Sequence, residues 1–328
     1  MDVVHLNDKL RWSSTSLTTK CHKACVNLGY NLYTLWLFTF SDLKTILGPS
    51  TMFGVFNALC ANMFGIPSVP PASVVCRTLH AVVWIWCNLL PFSIDNQRQP
   101  LSEAEDSINK SWRPMPAKRL TEKTAKRWML GLYPVAIVIS IHVGGLRQCL
   151  LLIALGCWYN DLGGADRSPL IRNFINACGF LCYASGAMEV VYGQSLPLEG
   201  KSLLSQWFSI IGGAVVTSVH SQDMEDKEGD RVRGRKTVPL VIGDWPSRLT
   251  LALAVTAWSC LGLHYWRLES IACMPTLVLG TLVALRTLML RGVGDDKRTF
   301  RLWNLWLTTL YLLPAFGFYS EGTMVTVQ

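Results

Sequence analysis

Charge is scarce in this sequence. Only 16% of its 328 residues are Asp, Glu, Lys or Arg, while half are hydrophobic. Soluble domains carry about 25% charged residues. With a mean hydropathy of +0.29, this balance excludes a globule surrounded by water, because the apolar surface exceeds what one core can hide. Paired cysteine spacing is missing too. Eleven cysteines are present but no CxxC, which argues against a thiol metal site or a redox dithiol. Several sit inside apolar runs, such as Cys87, Cys157, Cys178 and Cys182, and read as small buried hydrophobes. The six histidines show no HExxH, and His142 and His220 read as residues at the ends of apolar runs rather than as bases. Glu199-Gly200-Lys201-Ser202 resembles the end of a phosphate-binding loop, but Ser195 stands where that loop needs glycine. No Ser/Gly linker divides the chain. The first 20 residues are polar, so a cleavable signal peptide is not expected.

What is present is a series of apolar stretches of roughly 17–23 residues, the length that crosses a hydrocarbon core. Nine occur, at about 41–63, 73–95, 123–143, 145–161, 171–192, 203–221, 247–267, 270–291 and 299–319. A preceding run at 28–40, rich in Leu, Trp, Tyr and Phe, has the character of an interfacial segment. The expectation is an all-α integral membrane protein, a bundle of about nine transmembrane helices, with residues 1–25 as a tail and 26–328 as one domain.

The net charge is +8, and its distribution argues for a bilayer rather than nucleic acid as partner. Lys and Arg gather in alternate connections: five in 96–122 and six in 222–248, but none in 64–72 and only Lys201 in 193–202. Positive charge marks the cytosolic side. The N-terminus and both long charged loops are therefore expected in the cytosol. Away from the ends of the stretches, Glu189 and Arg286 are the main charges inside the apolar runs.

The two long loops carry the chemistry. The second reads Gln222-Asp223-Met224-Glu225-Asp226-Lys227-Glu228-Gly229-Asp230-Arg231. If the sixth stretch continues as a helix, Asp223, Asp226 and Asp230 share one face. Like charges so placed repel unless a cation joins them, and hard carboxylate oxygens suit Mg2+ shared with substrate phosphates. The first loop offers Glu103, Glu105 and Asp106 as acids, Asn96 and Asn109 as carbonyl ligands, and Lys110 and Arg113 as cations. Acids beside bases suit a metal–diphosphate site, since guanidinium and ammonium groups bind phosphate oxygens directly. A third polar cluster holds Tyr159, Asn160, Asp161, Asp166, Arg167, Arg172 and Asn173.

Ile108-Asn109-Lys110-Ser111-Trp112-Arg113-Pro114-Met115-Pro116 resembles the INKPxRPxP stretch of the UbiA superfamily of intramembrane prenyltransferases. Asp226-xxx-Asp230-xxx-Gly234-Arg235-x-Thr237-x-Pro239 resembles its second aspartate motif. The first motif departs from the usual NDxxDxxxD. Gln97 follows Asn96, the middle aspartate is missing, and the next acids are Glu103, Glu105 and Asp106. That departure, together with Ser41-Asp42-Leu43-Lys44-Thr45, resembles the fungal UbiA-type terpene cyclases.

The resemblance implies a Mg2+-dependent enzyme that ionises a prenyl diphosphate, farnesyl or geranylgeranyl diphosphate, and cyclises the allylic cation. It implies Asn96, Glu105, Asp106, Asp223, Asp226 and Asp230 as metal ligands, with Asp106, Asp226 and Asp230 central to ionisation. Lys110, Arg113, Arg235 and Asn160 would hold the diphosphate. It suggests an endoplasmic-reticulum address. An aromatic prenyltransferase of the same family, which needs a second substrate, is the alternative; a multi-span transporter would leave both acidic loops unexplained.

Overall fold

The computed structural model describes residues 22–198, 200–268 and 274–318. Residues 1–21 of the expected tail, 270–273 of the eighth stretch and 319 of the ninth lie outside these. Among the described residues the chain is helical, with no strand. The helices are α1 (22–39), α2 (Gly48–Leu59), α3 (Pro71–Arg98), α4 (Pro100–Asn109), α5 (Glu122–Val143), α6 (Leu146–Asn160), α7 (Gly164–Arg167) and α8 (Pro169–Tyr192). They continue with α9 (Leu203–Ser218), α10 (Asp223–Arg233), α11 (Val238–Val241), α12 (Asp244–Tyr265), α13 (Met274–Met289) and α14 (Val293–Tyr311).

The starts obey local chemistry. Proline occupies the first turn of α3, α4 and α8, where its missing N–H costs nothing. Thr121 and Ser202 cap α5 and α9 by accepting bonds from Thr124 N and Ser205 N.

Among the described residues, three helices can cross a membrane by length and composition: Pro71–Arg98, Pro169–Tyr192 and the continuous run Leu203–Arg233. The other six expected stretches also fold as helices, but these are shorter or more polar along their length. The run at 28–40 falls on α1, whose Leu28, Tyr30, Leu32, Tyr33 and Trp36 are exposed. Of the cysteines expected inside, Cys182 is buried and Cys87 and Cys178 are half-buried, but Cys157 is exposed on the outer surface.

Helix α8 is the hub, packing against α2, α3, α6 and α9. Every residue from Cys182 to Tyr192 is buried, as befits a helix that is apolar all round. Small residues let its neighbours approach. A Cβ on Gly186 would fall 2.1 Å from the Trp84 ring of α3, and one on Gly54 of α2 would fall 2.8 Å from the Ala187 backbone. The central charge Glu189 is fully satisfied. It accepts from Gly145 N, Leu196 N, Arg147 Nη2 and Gln148 Nε2, tying down the loops at the end of the bundle away from α4 and α10.

Two features position the site. The loops expected after the second and sixth stretches are short helices, α4 and α10, and they pack against each other. In addition, α1 passes into α2 through a 3-10 turn at Phe40–Asp42 and a π-helical turn at Leu43–Leu47. Such π turns concentrate at functional sites, and here the distortion turns Asp42 and Lys44 toward the space beside α10.

Candidate active site

A cavity opens between the turns at 40–47 and helices α3, α4, α6, α8, α10 and α14. Its empty space, open solvent at the mouth included, is about 1110 Å3. One end is charged, lined by Lys44, Glu105, Lys110, Arg113, Asp226 and Arg235. The other end is apolar, lined by Leu89, Phe92, Leu152, Ile175 and Phe180.

The charged end is built by α4 against α10. Lys110 follows the last turn of α4, and its Nζ lies 2.5 Å from Asp226 Oδ2. Asn109 bridges the two helices, donating to Asp226 O at 3.1 Å and accepting from Gly229 N at 3.2 Å. Arg113 Nη1 donates to both oxygens of Asp106, at 2.8 and 3.1 Å. Glu105 accepts from Arg235 at 2.7 Å and Arg233 at 3.2 Å, and Asp166 accepts from the same two arginines. On α8, Arg172 donates to Asp223 Oδ1 at 2.8 Å and to the Tyr159 hydroxyl.

Burial and ion pairing pull against each other here. Burial alone would depress the Lys110 ammonium, but Asp226 beside it outweighs burial and holds it above its ordinary value. Burial pushes the Asp106 carboxyl up, against the pull of Arg113 and Lys110.

Nine of the ten expected site residues belong to this region. Asn96, Glu105, Lys110, Arg113, Asp226 and Arg235 line the cavity. Asp106, Asp223 and Asp230 are buried just behind it. Asn160 does not line it; its amide donates to Asp95 Oδ2 at 3.2 Å, in a neighbouring network with Arg98 and Asp161. Its ring neighbour in sequence, Tyr159, faces the cavity instead.

Asp223, Asp226 and Asp230 do share the helix α10, yet each turns to a different cation: Arg172, Lys110 and Arg235. Among the described residues no three acidic, histidine or cysteine side chains converge into a ready-made metal cage. The donor chemistry nevertheless suits a hard divalent cation. Asn96 Oδ1, Asp223 Oδ2, Glu225 Oε2 and Asp230 Oδ2 are buried oxygens without a hydrogen-bond partner. Orphaned buried carboxylate oxygens are costly, and Mg2+ takes such oxygens together with waters and phosphates.

Sequence reasoning gave no role to Arg172, Tyr159, Glu225, Asp42 or Lys44. Arg172 and Tyr159 stood in the polar cluster noted above, but only the packing of α6 on α8 joins them to Asp223. Asp42 and Lys44 stood in the Ser41–Thr45 stretch, and only the π turn brings them to the cavity.

Known proteins resemble this chain in sequence and in fold. Fumagillin beta-trans-bergamotene synthase of Aspergillus fumigatus is 26% identical over 87% of this chain and 92% of its own length. Somaliensene A/B synthase of Streptomyces somaliensis is 26% identical over 90% and 96%. A solved UbiA homolog from Archaeoglobus fulgidus bound to DMAPP and Mg2+ shares the fold, with a TM-score of 0.55, 13% identity and coverage of 84% of this chain and 97% of that one. The sequence profile of the UbiA prenyltransferase family matches residues 54–307, more than three quarters of the chain, and the protein belongs to that family.

Proposed function

We propose that this protein is a membrane terpene cyclase that ionises farnesyl or geranylgeranyl diphosphate with Mg2+ and closes the allylic cation on itself. The observation that carries this reading is one continuous cavity with a cationic, carboxylate-rich end and an apolar, aromatic end. It matches a prenyl diphosphate in both halves, and the two relatives named above are terpene synthases by name.

The residues divide the work. Asn96, Glu105, Asp106, Asp223, Asp226 and Asp230 would hold the metal, with Glu225 beside them. A bound divalent cation neutralises charge on the leaving diphosphate. Lys110, Arg113, Arg172 and Arg235 bind the diphosphate oxygens and stabilise the charge that develops there as the C1–O bond breaks. The electron pair leaves with the diphosphate. Aromatic faces in the apolar end then stabilise the cation, and the dry walls keep water from quenching it. A distal double bond closes the ring, and the last proton passes to the released diphosphate or to water. No base to activate an acceptor is required. Nine membrane-crossing helices, with the α4–α10 end on the cytosolic face of the endoplasmic-reticulum membrane, complete the reading.

The test is an assay of microsomal protein with Mg2+ and each diphosphate separately, with no acceptor, read by gas chromatography–mass spectrometry. A cyclic terpene from wild type, lost in Asp226→Ala and Asp230→Ala, is expected. No hydrocarbon from either substrate would overturn the cyclase reading in favour of an aromatic prenyltransferase.

A further inference from the structure

The apolar end of the cavity is not wholly apolar. Tyr183 lines it, is only 4% exposed, and its hydroxyl has no hydrogen-bond partner. Asn176 lines it as well, and its amide nitrogen is likewise buried without a partner. Buried polar groups are nearly always paired, so two orphans on one wall of one cavity call for an explanation. Both lie on α8, and so does Gly179 between them, which also lines the cavity. A Cβ built on Gly179 meets no atom within 4 Å, so the helix surface is open at that point. In order along α8 the cavity wall reads Arg172, Asn176, Gly179, Tyr183. The steps of four, three and four residues keep these side chains on one face.

This order matters for the chemistry. Arg172 stands at the charged end, bonded to Asp223. Asn176 is one turn deeper, and Tyr183 lies about 16 Å from Arg172 along the helix axis, at 1.5 Å per residue. Positive charge does not stay where ionisation creates it. It begins at C1 beside the diphosphate and moves to a distal carbon when a remote double bond attacks. A fixed oxygen dipole and an aromatic face deep in the pocket act on that later cation and not on the first.

We propose that the α8 stripe of Asn176, Gly179 and Tyr183 determines the product. Gly179 provides the open space into which the prenyl chain folds, while the Tyr183 hydroxyl and ring, with the Asn176 amide, select where the migrated charge is stabilised. The three are specificity-determining residues of the cyclisation, set apart from the groups that ionise the diphosphate. This rests on the cyclase reading and deepens it.

The experiment compares wild type, Tyr183→Phe and Gly179→Ala. Hydrocarbon distribution is measured per diphosphate released, and thermal melting is followed on the same preparations. Tyr183→Phe removes an oxygen that bonds to nothing, and Gly179→Ala adds a methyl that touches nothing. Neither should lower the melting temperature. The expected result is a change of about fivefold or more in the ratio of major to minor hydrocarbons in each variant; fivefold is about 1 kcal/mol of differential cation stabilisation. A merely structural role would leave that ratio at the wild-type value, and wild-type distributions in both variants would overturn the proposal while leaving the cyclase standing. Absence of any terpene from wild type would overturn the cyclase reading itself, and this inference with it.

Discussion

Lys110 Nζ sits 2.5 Å from Asp226 Oδ2, so a cation from the first acidic segment clamps a carboxylate of the second. Both are largely buried, with side chains 19% and 17% exposed. Removing one partner of a buried pair strands the other, at a cost of about 3–5 kcal/mol. Lys110→Met should therefore destabilise the fold and also slow diphosphate release, by about 100-fold or more if the ammonium stabilises the leaving group. Melting and turnover read the two effects separately. A Lys110→Met enzyme with wild-type turnover would remove Lys110 from the diphosphate site.

Gly229 has no room to grow. A Cβ there would lie 2.3 Å from Asn109 Nδ2, and Asn109 is held in place by its bonds to Asp226 O and Gly229 N. Gly229→Ala should cost about 1–3 kcal/mol through overpacking. Asn109→Ala loses the bridge but clears the space, so the double variant should be more stable than the sum of the singles predicts. Strict additivity in thermal melts would mean that α4 and α10 are not coupled through this contact.

Arg172 serves Tyr159 and Asp223 at once, a task that uses the fixed fork of a guanidinium. Arg172→Lys keeps the charge but not the fork. Its activity should resemble that of Arg172→Ala more than that of wild type, in an assay of diphosphate release. Near-normal release by the lysine variant would reduce Arg172 to a point charge.

How much of this was open to reading in advance differs by residue. Asp226, Asp230, Lys110 and Arg113 stand in long, distinctive strings, so their chemistry is visible one-dimensionally; the expected common face of Asp223, Asp226 and Asp230 falls on one helix, where each pairs with a different cation. Their partners were less visible. Asp223 pairs with Arg172 51 residues away, and Glu105 with Arg235 130 residues away. Such pairings depend on how α8 and α4 pack against α10 and the turn that follows it, which periodicity does not encode. Asn160 was the misplaced member of the set. One residue along a helix is a turn of about 100°, at 3.6 residues per turn, and that step separates Tyr159, in the cavity, from Asn160, on Asp95. The orphaned Tyr183 hydroxyl was invisible for the same reason, since in the sequence it is one more aromatic in an apolar run.

Metal binding can be tested without turnover. A ligand that binds only the folded state stabilises it by mass action, about 2.7 kcal/mol at 100 times its Kd. Mg2+ together with a non-hydrolysable prenyl diphosphate analogue should raise the melting temperature, and a chelator should abolish both the rise and the activity. Asp230 carries a buried oxygen with no partner, so Asp230→Ala should lose the metal-dependent part of the rise. An equal rise in wild type and Asp230→Ala would exclude Asp230 from the metal site.

Membrane orientation has a built-in probe. Asn109-Lys110-Ser111 is a formal N-glycosylation sequon, yet the Asn109 amide is bonded into α10 beside the cationic surface proposed to face the cytosol. Glycosylation takes place on the lumenal side, so Asn109 should remain unmodified in microsomes. A sequon engineered near Lys201, in the connection between α8 and α9 at the opposite end of the bundle, should be glycosylated. The shift in gel mobility on deglycosylation reads both sites in one experiment. Modification at Asn109 with none near Lys201 would invert the orientation and place the diphosphate end in the lumen. Modification near Lys201 alone would fix the charged loops on the cytosolic side, as the alternation of Lys and Arg between the apolar stretches demands.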